Sequence, residues 1–375
     1  MLPPFKLESY FAKHEFSTPY MLGSSEPQTY SQSEILALAS NDLLELWQHL
    51  SLGYTDMSGS ILLRDDVSQL YRKQAAENVL VFSGAEEAIY VSIRVLIEPG
   101  DQVVVITPCY QSLKELPKAC GAKTIEISLD YQEQEWTLDF EKLNRAVSAK
   151  TKLIIVNFPH NPTGFLPSKA LFNHIIDLAK QHNCYLLSDE VYRYSEHNTE
   201  DRLPAAADEY EKALSIGVMS KSFGLPGLRI GWVCAQNNDL LHQLASYKHY
   251  TTICNSAPSE ILAMIALQAQ ETIFERINAI TKANLDLLEQ FFAKYSDLYE
   301  WSRPRAGFIS FPKLKHSLQV AEFANQLVQS EGVLIIPGDI YDDQNNHFRL
   351  GFGKKNLPDA LIRFERFTQK LLRTL

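Results

Sequence analysis

The sequence predicts an α/β protein: a mostly parallel, seven-stranded sheet between helices, followed by a smaller α+β domain. Three observations predict it. Between residues 78 and 236, short β-branched runs alternate with longer amphipathic ones, the pattern of strands and helices taking turns in a parallel sheet. Beyond residue 236 the alternation gives way to a long helical stretch, short strands and a closing helix. The chain has 375 residues, 45% hydrophobic and 21% charged, enough to bury a large core in two or three domains at roughly 150 residues each.

Taken in order, the strands are NVLVF (78–82), DQVVVIT (101–107), KTIEIS (123–128), KLIIVN (152–157), CYLLSD (184–189), ALSIGV (213–218) and RIGWVCA (229–235). Between them, AEEAIYVSIRVLI stops at the Pro-Gly of EPGD, and SKALFNHIIDLAKQH carries its apolar residues at helical spacing. One helical stretch is predicted over SEILAMIALQAQETIFERINAITKANLDLLEQFFAKY, then strands near AGFISFPKL and HFRLGFG, then the helix LPDALIRFERFTQKLL. The first forty residues have weak periodicity and several prolines, which predicts an arm packed on the smaller domain or on a partner chain. The boundaries expected are 1–45 for the arm and part of the small domain, 46–260 for the large domain and 261–375 for the small one.

Charge and composition narrow the function. With 35 basic residues against 45 acidic ones, a net charge of −10 and no dense Lys/Arg block, neither nucleic acid nor an anionic membrane is an expected partner. The start, MLPPFKLESYFAKHEF, has no signal or transit composition, and no window approaches 18 apolar residues, so a cytoplasmic location is predicted. Cysteines 109, 120, 184, 234 and 254 are widely spaced, never C-x-x-C, and are read as reduced thiols. The ten histidines lack metal-ligand spacing.

In open α/β sheets the chemistry sits outside the carboxyl ends of the strands. Those positions hold Ser83-Gly84-Ala85, Thr107-Pro108-Cys109-Tyr110, Asn157 to Gly164 (NFPHNPTG), Asp189-Glu190-Val191-Tyr192, and Ser220-Lys221. Alone, NPTG is a turn, SDE a helix cap, and a lysine a solvated surface charge. Together they bring a carboxylate, an amide, two phenols and an amine to five strand ends.

With SKSFGLPGLRIGW (220–232) added, the chain resembles fold-type I pyridoxal phosphate enzymes of the class I/II aminotransferase family, from about Tyr54 to Gly353. The resemblance implies pyridoxal 5'-phosphate as cofactor and transfer of an amino group from an L-amino acid to a 2-oxo acid by ping-pong chemistry. Lys221 matches the lysine that forms the Schiff base and then serves as base at the substrate Cα. Asp189 matches the carboxylate paired with the pyridine nitrogen. Tyr192 and Asn161 match the donors to the ring's phenolic oxygen, and Tyr110 the aromatic stacked on the ring. Gly84, Ala85 and Glu86 at a helix start, with Ser220 and Arg229, match the phosphate site. Tyr54 matches the tyrosine that reaches the neighbouring subunit's phosphate, which implies a homodimer with shared active sites. Arg349 matches the clamp for the substrate α-carboxylate, where a planar guanidinium makes two parallel bonds; Asn161 and Ser25 complete the implied substrate side.

Three departures from the family pattern stand out. Val218 replaces a phosphate-binding serine. Glu86 and Glu87 lie in the first turn of the phosphate-binding helix, where their carboxylates are expected to turn away. Ser25 replaces the usual glycine of the N-terminal substrate loop, narrowing that side. The segments YKHYTTICNSAPSE, PRAGFISFPKL and LIIPGDIYDDQNNHFRLGFG resemble a branch of amino-acid cyclases related to capreomycidine synthase, so a lyase or cyclase is the alternative enzyme. A non-catalytic sensor would need a DNA-binding domain, for which the first fifty residues leave no room. Lys248, His249, Arg303 and Arg305 are candidate cations for an acidic side chain or solvated surface charges, and the apolar and aromatic surroundings do not choose between them; a broad or neutral/aromatic amino donor is expected.

Overall fold

Seven strands make the central sheet: β1 (Val79–Phe82), β2 (Gln102–Thr107), β3 (Lys123–Ser128), β4 (Thr151–Asn157), β5 (Tyr185–Asp189), β6 (Ala213–Val218) and β7 (Gly231–Cys234). Their order is β1-β7-β6-β5-β4-β2-β3. All neighbours run parallel except β7, which is antiparallel to both β1 and β6. The computed structural model describes residues 2–15 and 17–373.

The apolar runs are continuous because both faces of the sheet are covered. Val103, Val105, Leu153 and Ile155 join one hydrophobic cluster, and Val104, Ile106, Ile154 and Val156 join the other. Strand periodicity thus sends alternate side chains to opposite layers.

Nine helices are used below: α1 (Lys6–His14), α2 (Ala85–Leu96), α3 (Gln111–Ala119), α4 (Lys169–Gln181), α5 (Asn238–Lys248), α6 (Ala257–Gln268), α7 (Gln270–Lys294), α8 (Val320–Glu331) and α9 (Leu357–Leu372). α2 follows β1 and lays Ala88, Ile89, Ile93 and Leu96 on the sheet. α4 starts where the Ser168 hydroxyl accepts the Leu171 N–H, a cap worth about 1 kcal/mol.

The predicted helix from Ser259 to Tyr295 is broken. Ala269 (φ −98°, ψ 19°) separates α6 from α7. Every residue from Glu260 to Leu267 is buried, whereas α7 buries one stripe, so the axis turns where the burial pattern changes.

A small sheet has the strands β8 (Ile309–Ser310), β9 (Ile336–Pro337) and β10 (Phe348–Gly351) in the order β8-β10-β9, and a third cluster joins α7, α8 and α9 to its central strand β10. Phe291, Phe323, Phe348 and Phe364 pack there with Leu22 of the N-terminal arm.

The arm touches both lobes. Gln111 at the start of α3 donates to Pro4 O (3.0 Å) and accepts from the Lys6 N–H (2.9 Å). Tyr10 Oη donates to Ile335 O (3.1 Å), and Lys6 pairs with Asp342. Asp342 also holds Lys114 of α3, so one carboxylate joins the arm, the large lobe and the turn that follows β9. Among the described residues no helix is long and apolar enough to cross a membrane.

Candidate active site

Parallel strands place their following residues on one edge, and the predicted set converges there. Asp189 is the last residue of β5 and is buried. Its Oδ1 accepts only the Val191 N–H, at 3.3 Å. Burial pushes its pKa up to about 7, against the pull of that N–H and of Lys221. Asn157 ties β4 to β5: its Nδ2 donates to Asp189 O (3.0 Å) and its Oδ1 accepts the Asn161 N–H (2.8 Å).

Lys221 lies three residues beyond β6. Its Nζ is 2.8 Å from Ser25 Oγ and 5.7 Å from the Tyr192 ring centre. Burial lowers its pKa; Glu26 pulls upward and Arg349 downward. Tyr192 is buried, donates to Ser25 O (3.2 Å), and is held protonated by burial. Ser25, replacing the expected glycine, therefore faces both the amine and the phenol.

Arg349, in β10, is wholly buried. Nη2 donates to Gly23 O (2.7 Å) and Nη1 to Asn161 Oδ1 (3.2 Å) and to Tyr341 Oη. Nε has no partner, and no carboxylate pairs with the guanidinium among the described residues. A buried cation in this state is costly unless an anion joins it.

At the other end, Gly84 (φ +91°) is the N-cap of α2. A Cβ there would lie 2.5 Å from Arg229 Nη2, so only glycine admits the guanidinium beside the free amides of Ala85 and Glu86. Arg229 is itself left-handed (φ +52°), exposed, and bonded only to Pro226 O (3.1 Å). Ser220 is buried beside Lys221. Val218 ends β6 as a core residue.

The first-turn carboxylates are engaged by protein groups. Glu86 bonds Ser112, while Glu87 accepts from Ser83 N (2.6 Å), Thr252 Oγ1 (2.7 Å) and Thr251. Tyr110 caps α3, with its ring 5.2 Å from Phe5 and its hydroxyl 3.2 Å from Glu8.

Tyr54 is not brought into this set. It is 91% exposed, and Leu52, Ile61, Leu62 and Tyr250 are likewise exposed apolar side chains.

Of the candidate cations, Lys248 is buried on Met57 O (2.6 Å) and its pKa falls to about 8 through burial. Arg303 pairs with Asp286 and Glu289, and Arg305 with Asp201. His249 is exposed.

Sequence reasoning missed Tyr341, Gly23, Glu8 and Phe11. Phe11 of α1 places its ring 5.9 Å from the Arg349 guanidinium. No motif marks any of the four.

The arrangement offers an anion cradle, an amine of lowered pKa, a buried carboxylate lacking a cation and a buried guanidinium lacking an acid. That set fits a ligand carrying phosphate and a protonatable ring, with room for a substrate carboxylate. Pyridoxal phosphate has these features.

Residues 20–363 match the family model for aminotransferase class I and II. The chain is 30% identical to capreomycidine synthase of Streptomyces vinaceus over 355 residues, 94% of this chain and 90% of that one. It superimposes on a pyridoxal phosphate-dependent aminotransferase of Streptococcus suis with a TM-score of 0.92 and 32% identity over 98% of both chains. The pyridoxal phosphate-dependent cyclase OrfR gives a TM-score of 0.88 and 27% identity over 98% of both chains. With the motifs, the fold and these matches in agreement, the chain belongs to the class I and II aminotransferase family and takes pyridoxal phosphate as its cofactor.

Proposed function

We propose that the protein is an aminotransferase moving the amino group of an L-amino acid to a 2-oxo acid by ping-pong turnover on Lys221. One observation carries this reading: the Lys221 amine lies within electrostatic reach of two buried groups, the Asp189 carboxyl and the Arg349 guanidinium, neither of which is in an ion pair among the described residues. An α-amino acid supplies the missing anion, and the protonated cofactor ring the missing cation.

When bound, pyridoxal phosphate supplies an aldehyde for the amino group and a ring that accepts the electron pair of a broken Cα bond. Asp189 would pair with the ring nitrogen and keep it protonated. Ala85, Glu86 and Gly84 at the start of α2, with Ser220 and Arg229, would hold the phosphate, and Tyr110 would cover the ring. Arg349, steadied by Asn161, Tyr341 and Gly23, receives the substrate carboxylate and fixes which face of Cα meets Lys221. Lys221 Nζ, whose pKa is lowered by burial, acts as nucleophile and then takes the Cα proton. Tyr192 and Asn161 would donate to the ring's phenolic oxygen. Replacing Tyr192 by Phe is expected to move the pH midpoint of the holoenzyme's visible band upward by about one unit, with little change in thermal stability. An unchanged midpoint would remove this hydrogen bond.

The exposed surface around Tyr54 supports a homodimer in which Tyr54 completes the partner's phosphate site. Mixed dimers of Lys221→Ala and Tyr54→Ala subunits should then regain activity, because one composite site carries both lesions and the other neither. Failure to regain it, with mixed dimers present, places Tyr54 outside the partner's site. The proposal includes a large lobe over 46–260, a small lobe over 261–375 with 1–45 as arm, and a cytoplasmic location.

A second reading is cyclisation or elimination. It is favoured by the likeness to capreomycidine synthase and OrfR and by the Ser25 hydroxyl facing Lys221. The deciding experiment is single-turnover product analysis of the holoenzyme with amino acids and no 2-oxo acid. Transamination releases one 2-oxo acid per site, without ammonia, and then stops; elimination releases a 2-oxo acid together with ammonia over many turnovers, and cyclisation consumes substrate with no 2-oxo acid, so either of the last two outcomes favours the second reading.

A further inference from the structure

We propose that the amino donor carries a cationic side chain, recognised by Glu8 of the N-terminal arm; this rests on the reading of Arg349 as the α-carboxylate clamp. α1 lies over the clamp, with Phe11 5.9 Å from the Arg349 guanidinium. Glu8 is three residues earlier, on the same helical face and about 4.5 Å away along the axis. Its carboxylate accepts from Tyr110 Oη at 3.2 Å. Glu8, itself exposed, therefore ties α1 to the aromatic expected on the cofactor ring, one helical turn from the Phe11 ring that lies near the clamp.

Glu8 has no cationic partner among the described residues, unlike Asp342 and Glu26 nearby. Asp342 holds Lys6 and Lys114, and Glu26 is 2.8 Å from Lys354 Nζ. The negative field of Glu8 reaches the groups facing the pocket, raising the pKa of Lys221, Tyr110 and Tyr341. Meanwhile the arm's Lys6 and the adjacent Lys114 are committed to Asp342, and Arg303 and Arg305 to acids elsewhere. An acidic side chain entering under α1 would meet Glu8 with neither lysine free to answer it. A guanidinium or ammonium would find a carboxylate and the rings of Phe11 and Tyr110, surfaces on which a flat cation stacks well. Sequence alone predicts a broad or neutral/aromatic donor; the carboxylate that the arm brings to this aromatic wall is what favours a cationic one.

The test is equilibrium titration of the holoenzyme, followed through the absorption of its bound cofactor. The ligands are L-arginine with its neutral isostere L-citrulline, L-lysine with L-norleucine, and L-aspartate. Each cation should bind about 10- to 100-fold more tightly than its neutral match, and aspartate most weakly. In Glu8→Gln the two ratios should fall towards one, and in Glu8→Lys the order should turn towards aspartate. Ratios near one in the unaltered protein, or ratios that survive Glu8→Gln, overturn the assignment while leaving the aminotransferase reading in place. If no amino acid perturbs the absorption, that reading and this inference fall together.

Discussion

Lys221→Ala is expected to lower turnover by about a thousandfold or more while leaving the thermal unfolding transition almost unchanged. The chemical loss is large because nothing else in the pocket can do the same work. Burial keeps the Tyr192 hydroxyl protonated, and Asp189 is committed to the ring nitrogen in the proposed site. The structural loss is small: Lys221 Nζ makes one side-chain bond, to Ser25 Oγ, and its removal relieves the cost of holding an ammonium away from water. Activity assays and thermal melts of the reconstituted variant check both halves. Turnover close to that of the unaltered protein would remove the lysine from the mechanism.

Arg349→Ala should raise KM for α-amino acids by about 100-fold or more, and much less for a primary amine of the same side chain lacking the carboxylate. The guanidinium is wholly buried and bonded only to neutral oxygens, those of Gly23, Asn161 and Tyr341. Its binding energy is therefore spent on an anion that the substrate brings. Arg349→Lys keeps the charge but cannot make two parallel bonds to one carboxylate, so it should recover only part of the loss. Kinetics with the two substrate types separate the cases. Equal losses for the amino acid and the amine would mean that Arg349 does not clamp the carboxylate.

Much of the fold and half of the site were legible in sequence for the same reason. Each strand of the central sheet is a short apolar run; Asp189 ends one such run and Lys221 lies three residues beyond another. Local spacing therefore brought them to one edge before any contact was known. Arg349 could be named only through the family resemblance. Its setting depends on contacts across 188 positions to Asn161 and 326 to Gly23, which no local pattern reports.

Tyr341 sits in a single turn of 3-10 helix (Gly338–Tyr341), too short to show a period. The arm was predicted to pack, but Glu8 and Phe11 acquire meaning only because α1 crosses from the turn after β9 to α3. The break at Ala269 was hidden because both flanking segments have good helix formers; what ends α6 is the change from all-round to one-sided burial. Lys248 shows the reverse error. Sequence offers it as a cation for an acidic side chain or a solvated charge, and the fold instead buries it on the Met57 carbonyl.

The measurement that tests the central claim most directly is the visible spectrum of the purified holoenzyme, before and after mixing with single amino acids in the absence of any 2-oxo acid. A transaminase on Lys221 predicts a yellow protein whose band converts to the near-ultraviolet absorption of the cofactor's amine form, with one 2-oxo acid released per site. A yellow band that no amino acid converts, or converts without releasing a 2-oxo acid, would contradict transamination.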